Sequence, residues 1–128
     1  MKFLLDTQIA IWALIDDPRL NQPARKILDS SANQFQFSVG TIWEIAIKRG
    51  LKRAGFQYDP REVRRHLLLN GCKELTIQSR HLVEVDSLPL IHKDPFDRIL
   101  IAQAKVEGIT LLTADALIAK YPGPIRKV

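Results

Sequence analysis

Four carboxylates from separated stretches of this 128-residue chain stand where chemistry is expected. Asp6 follows the short run Lys2 to Leu5, Glu44 lies inside Ile42-Trp43-Glu44-Ile45-Ala46-Ile47, Asp97 opens a helical pattern, and Asp115 follows Leu112-Thr113-Ala114. Gathered without a counter-charge they are costly, because two carboxylates about 5 Å apart repel by roughly 3 kcal/mol at an effective dielectric near ~20. A divalent cation removes that penalty. Oxygen ligands with neither His nor Cys beside them suit Mg²⁺ or Mn²⁺ better than zinc. The natural further ligand of such an ion is a phosphate oxygen, which points to phosphodiester chemistry.

Each acid also has an ordinary structural role open to it. Asp97 suits a helix N-cap or first turn. Glu44 can pair with Lys48 four residues on, on a solvated helix face, and Asp115 can cap the last helix. Asp6 fits such roles least, since a carboxylate directly after Phe3-Leu4-Leu5 lies at the rim of the core.

The elements that must position these acids alternate between strand and helix. Lys2 to Leu5 reads as a strand, and from Ile9 the pattern turns helical, with Ile9, Trp12, Ala13 and Ile15 on one face. Asn21 caps a second helix carrying Ala24, Ile27 and Leu28, with Pro23 in its first turn. A strand from Gln34 to Ser38 precedes a helix expected from Ile42 to about Lys48, stopped by Gly50. Pro60 starts a helix carrying Val63, Leu67 and Leu68, and Glu74 to Ile77 and Arg80 to Val85 read as a brief strand and a helical turn or two. His92 to Pro95 reads as a loop before a helix from Asp97 to about Glu107, with Gly108 as its cap. The strand Ile109 to Leu112, a last short helix ending near Tyr121-Pro122, and an edge strand from Ile125 complete the pattern. It predicts one α/β domain over residues 1–128, a three-layer α/β/α sandwich with a central, mainly parallel sheet. In such sheets functional groups gather beyond the carboxyl ends of the strands. That rule brings Asp6, Glu44, Asp97 and Asp115 to one edge.

Composition narrows the partners. With 46% hydrophobic and 26% charged residues the chain is ordinary folded protein, neither disordered nor a collagen-like or disulfide scaffold. Nineteen Lys and Arg against fourteen Asp and Glu leave a formal charge of +5, which favours a polyanion such as nucleic acid. The single cysteine excludes an internal disulfide and suits a reducing cytoplasm. Asp6 interrupts what could otherwise be a signal peptide, and no uncharged apolar stretch approaches membrane-spanning length.

Competing chemistries find little support. His66, His81 and His92 are scattered without an evident pair for acid–base catalysis, and His92 reads as a loop hydrogen-bonder. A haloacid-dehalogenase-type phosphatase requires a second Asp two residues after the first, where this chain has Gln8. No P-loop or dinucleotide-binding glycine pattern is present.

The segments Leu4-Leu5-Asp6-Thr7, Ser38 to Lys48, His92-Lys93-Asp94-Pro95-Phe96-Asp97-Arg98 continuing to Ala104, and Leu111-Leu112-Thr113-Ala114-Asp115 resemble the PIN-domain family, and within it the VapC-type toxins of bacterial toxin–antitoxin pairs. The likeness spans nearly the whole chain. It implies a Mg²⁺- or Mn²⁺-dependent endoribonuclease whose acidic motif maps onto Asp6, Glu44, Asp97 and Asp115. These acids would hold the metal, Asp115 completing the site or positioning a second ion. Thr7, Asp94 and Thr113 would stand behind them, by hydrogen bonding or loop ordering. The resemblance also implies cleavage leaving a 5′-phosphate, and a homodimer neutralised by a small VapB-type antitoxin whose dimer binds operator DNA.

Lys48, Arg49, Lys52 and Arg53 form one basic cluster suited to RNA phosphates, and Arg61, Arg64, Arg65 and His66 another; Arg98 is a further candidate for RNA contact and is placed to screen the acids. Taken singly, each is more readily explained as solvated surface charge. Trp12, Trp43 and the Ile-rich helices exceed what a small core needs, which suggests a covered surface. A reading from another class is an inactive module that uses its acidic pocket to hold a basic partner peptide. It would be marked by a missing acid, and none is missing.

Overall fold

Strand β1 (Lys2–Leu5) is apolar on both sides, which makes it a central strand: Phe3 and Leu5 enter one core and Leu4 the other. The computed structural model describes residues 1–128. After β1 come α1 (Thr7–Ile15), α2 (Gln22–Asp29), β2 (Gln34–Ser38), α3 (Val39–Gly50), α4 (Pro60–Leu69), β3 (Lys73–Leu75), α5 (Ser79–Asp86), α6 (Pro95–Glu107), β4 (Thr110–Thr113), a 3₁₀ turn (Ile118–Lys120) and β5 (Ile125–Lys127). The sheet order is β3-β2-β1-β4-β5 and every pairing is parallel. Leu4 lies opposite Gln36 on one side and Leu111 on the other.

Helices cover both faces. Phe3, Leu5, Phe37 and Leu112 pack against Ile9, Ala24, Ile45 and Leu67 of α1 to α4. Leu4 and Leu111 pack against Leu100, Ile101 and Ala104 of α6, with Val85 of α5 at the margin. The three-layer sandwich is therefore present, with an all-parallel sheet. The chain winds from β1 outward through β2 to β3, then returns to add β4 on the other side of β1. That reversal opens a crevice beyond the carboxyl ends of β1 and β4, where open α/β sheets bind their ligands.

Element boundaries differ from expectation where side-chain caps decide them. α3 starts at Val39 rather than Ile42, because the Ser38 hydroxyl accepts from Gly40 N–H at 2.9 Å. α6 starts at Pro95 rather than Asp97, because the Asp94 carboxylate accepts from Phe96 N–H at 2.8 Å and Pro95 suits the first turn. Gly108, at φ 68°, ends α6 in the left-handed conformation that favours glycine. The buried residues of α1 are Thr7, Ile9, Ala10 and Ile11, whereas Ile15 is exposed. The helix is apolar almost all round, so its sequence carries little phase. The expected last helix is only the 3₁₀ turn, β3 is Lys73–Leu75, and the tail is the edge strand β5. No helix is long and apolar enough to cross a membrane.

Leu4 is fully buried in the central strand. Leu4→Ala is expected to cost about 3 kcal/mol, the transfer loss plus the cavity left behind. Urea denaturation measures it, and a loss below ~1 kcal/mol would contradict a two-sided core.

Candidate functional site

The crevice holds a cavity of about 380 Å³ whose lining includes Asp6, Glu44, Asp97 and Asp115 together with Thr7, Asp94 and Lys48. Four elements deliver the four acids. Asp6 is the N-cap of α1: its Oδ1 accepts from Ile9 N–H at 2.8 Å, which fixes the carboxylate at the end of β1. Its Oδ2 accepts from the Thr113 hydroxyl, and the same hydroxyl oxygen accepts from Asp115 N–H at 3.0 Å. Thr113 thus ties the ends of β1 and β4 together at the site. Asp115 Oδ1 accepts from Leu117 N–H at 2.7 Å and shapes the turn after β4. Thr7 and Thr41 share a buried hydroxyl pair at 3.1 Å beneath this edge.

Glu44 departs from its solvated-face reading. The pair with Lys48 forms, at 2.5 Å through Oε2, but Glu44 is 3% exposed and its Oε1 has neither a hydrogen-bond partner nor solvent contact. A buried carboxylate oxygen without a partner is expensive, and an ion in the cavity would satisfy it. Asp97 lies in the first turn of α6, and its Oδ2 is 2.7 Å from His92 Nε2. Asp94 uses Oδ1 to cap α6 and turns Oδ2 toward Lys48 Nζ at 3.6 Å.

Electrostatics reflect the crowding. Burial, with smaller contributions from Asp115 and Glu44, pushes the Asp6 carboxyl up to about 6 against the hydrogen bonds from Ile9 and Thr113. Burial and then the charge of Asp94 push Asp97 up to about 7, with the His92 hydrogen bond opposing. Burial disfavours the charged form of Lys48, but the hydrogen bond and charge of Glu44, with Asp94 and Asp97, hold its pKa above the ordinary lysine value. The donor set fits a hard divalent cation: carboxylate oxygens dominate, and one of them is orphaned.

Two expectations need correction. The acids do have a histidine beside them, since the ligand atoms of His92, Asp94 and Asp97 lie within 4.8 Å of one another and could hold an ion. His92 also has the loop role expected of it, through backbone bonds with the Tyr121 hydroxyl at 2.7 and 3.1 Å. Arg98 does not screen the acids. Its guanidinium donates to the carbonyls of Pro89 at 2.9 Å and Val85 at 3.2 Å and to the Tyr121 hydroxyl at 3.0 Å, clamping the loop between α5 and α6. With the His92 and Leu88 carbonyls, both at 3.5 Å, four carbonyls and a hydroxyl hold it there.

The other basic residues divide. Arg49 is 3.7 Å from Asp59, whereas Lys52 and Arg53 are exposed without ion pairs. Arg53 and Lys93 line a shallower cavity that shares Lys48 and Asp94 with the main one. Arg64 and Arg65 of the second cluster pair with Glu74 and Glu62. Trp12 is no surplus surface residue: its ring lies under Arg19 at 5.1 Å and lines the main cavity, as do Gln8 and Phe56. Nothing in the spacing of Gln8, Trp12, Phe56 or His92 announced them, because loops and helix rotation bring them in.

The PIN domain family model matches residues 3–124. The chain belongs to the PIN-domain family. Solved structures similar to this PIN domain include VapBC2 from Rickettsia felis bound to a DNA fragment from its promoter, at TM-score 0.71 and 15% identity, covering 99% of this chain and 98% of that one. DNA-bound VapBC from Salmonella typhimurium matches at TM-score 0.69 and 16% identity, over 99% and 98% of the two chains. A toxin–antitoxin complex from Klebsiella pneumoniae matches at TM-score 0.64 and 21% identity, over 98% of each. No curated protein matches significantly by sequence. PIN domains generally use a divalent metal, in keeping with the orphaned Glu44 oxygen.

The raised carboxyl pKa values predict a pH-dependent stability. Asp6 and Asp97 favour the folded state most below their ordinary value of 3.8, and that contribution is lost as pH climbs through about 6 and 7. For Asp6 the loss is on the order of 3 kcal/mol. In EDTA the urea midpoint should therefore fall between pH 5 and pH 8, less so in Asp6→Asn. Excess Mn²⁺ should raise it at pH 8 more than at pH 5. Equal midpoints at both pH values in EDTA would contradict the burial of these acids.

Proposed function

We propose that this PIN domain is a Mg²⁺- or Mn²⁺-dependent endoribonuclease, acting over residues 1–128 as the VapC-type toxin of a toxin–antitoxin pair in the cytoplasm. The observation that carries the reading is the buried, unpartnered Oε1 of Glu44 in a cavity lined by Asp6, Asp97 and Asp115. Asp6, Glu44, Asp97 and Asp115 would hold the ion. When bound, such an ion neutralises charge on a phosphate and acidifies a water for attack on phosphorus. The chain supplies the geometry. Thr113 fixes the orientation of Asp6 and, through the Asp115 amide, the position of the fourth acid. His92 holds Asp97 by its Oδ2. Phe56 and Ile118 give the cavity apolar walls that limit water.

RNA as substrate draws support from the surplus of +5 and from the exposed Arg53 and Lys93 beside the acidic cavity, with the exposed Lys52 next to Arg53 in the chain. Cleavage would release the 3′-oxygen and leave a 5′-phosphate. A VapB-type antitoxin as partner, and DNA contact only through it, follow from likeness to the VapBC complexes. A homodimer is supported by Trp43 and Ile47, exposed one helical turn apart along α3, with the exposed Leu51 at its C-cap.

Asp6→Asn and Glu44→Gln should each lower Mg²⁺-dependent RNA cleavage at least ~100-fold, as expected for loss of preorganised charge at the reacting phosphate. They should also abolish growth arrest on expression. Cleavage at the wild-type rate by Asp6→Asn protein would overturn the role given to these acids, and no cleavage by wild-type protein with Mg²⁺ or Mn²⁺ would leave a binding module for a basic peptide. Sequencing RNA 5′ ends after brief induction identifies the target.

A further inference from the structure

Lys48 is the one cation whose charged group lies among the acids. Its Nζ is 2.5 Å from Glu44 Oε2 and 3.6 Å from Asp94 Oδ2, and its side chain is only 17% exposed. The ring of Phe56 lies 4.7 Å from the ammonium and that of Phe96 5.7 Å, so aromatic faces flank it where it leaves the carboxylates. A lysine held in this way does not swing freely into solvent.

A centre with two divalent ions needs carboxylates that offer one oxygen to each ion. Glu44 is the acid placed to bridge, because it lines the same cavity as both Asp6 and Asp97. Its Oε2 is bound to Lys48, however, and only Oε1 remains. The second place for an ion would be the group His92, Asp94 and Asp97. There Asp94 commits Oδ1 to the cap of α6 and faces Lys48 with Oδ2, while Asp97 Oδ2 is bound to His92. A divalent ion entering that group would meet the ammonium at close range and gain few free oxygens.

We infer that the Lys48 ammonium is a built-in second cation, which occupies the Asp94 side of the cavity and limits the centre to one divalent ion near Glu44 Oε1. The inference rests on the metal-dependent reading above and deepens it. It makes Lys48 a positioning residue: it holds Glu44 with one oxygen turned to the ion.

Counting bound Mn²⁺ by the loss of its free-ion electron paramagnetic resonance signal tests this without any substrate. Wild-type protein should saturate at one ion per chain. Lys48→Met, which keeps the apolar stem over Phe56 and Phe96 and removes the charge, should take two. Lys48→Arg should return to one. Two ions in the wild type would overturn the inference and leave metal dependence standing, whereas none would overturn both. One ion in a folded Lys48→Met protein would also overturn it. A wild-type count of two overturns the inference even if the Met variant fails to fold.

Discussion

Like charge crowded into one small space is the constraint to which the rest of this structure answers. Asp6, Glu44, Asp94, Asp97 and Asp115 line a single cavity, and burial raises the carboxyl pKa of two of them into the range of about 6 to 7. Such a group opposes folding at neutral pH unless something positive joins it. The fold tolerates the arrangement because the sheet beneath it is strong. β1 is hydrogen-bonded on both sides and packed on both faces, and it delivers Asp6 to the crevice without freedom to withdraw. Stability is concentrated in the layer below the site and given up at its edge, a common division in enzymes.

The division works because a carboxylate has two oxygens. Asp6, Asp94 and Asp115 each use Oδ1 to accept from backbone N–H groups at a helix or turn start. Capping and site-building are thus not rival explanations of these residues, as they look from sequence. The cap fixes the rotamer, and the fixed rotamer aims the second oxygen. Thr113 extends the same economy: its one hydroxyl both donates to Asp6 and accepts from the Asp115 amide, so two acids from different strands are held in register by a single side chain. Replacing the cap by another residue would therefore disturb chemistry and helix start together.

Much of this was legible in the chain. The strand ends before Asp6 and Asp115 follow from short apolar runs, and the strand-to-helix alternation implies the parallel sheet that gathers them. What could not be read depends on contacts between distant segments. The starts of α3 and α6 shift because Ser38 and Asp94 cap them, a choice that competes with equally good caps nearby. Arg98 sits next to Asp97 in sequence, yet successive residues on a helix point in different directions. Its side chain leaves on the side of the α5–α6 loop and binds carbonyls there. His92 joins the acids only because that loop folds back over the start of α6, held by Tyr121 from the far end of the chain. Periodicity carries no information about such returns.

The net charge of +5 takes on a different meaning once the cations are located. Arg64 and Arg65 are paired with glutamates, Arg98 is turned inward to a loop, and Lys48 is enclosed with the acids. What remains free beside the cavity is a small set, Arg53 and Lys93 with the exposed Lys52 next in the chain, rather than a broad basic face. A small set of phosphate contacts gives modest affinity and a shallow salt dependence. An RNA-cutting protein built in this way would draw its selectivity from the geometry of the cavity rather than from a broad grip on the backbone. On that proposed reading, the walls set by Trp12 and Phe56 would matter more for which phosphodiester enters than the overall charge does.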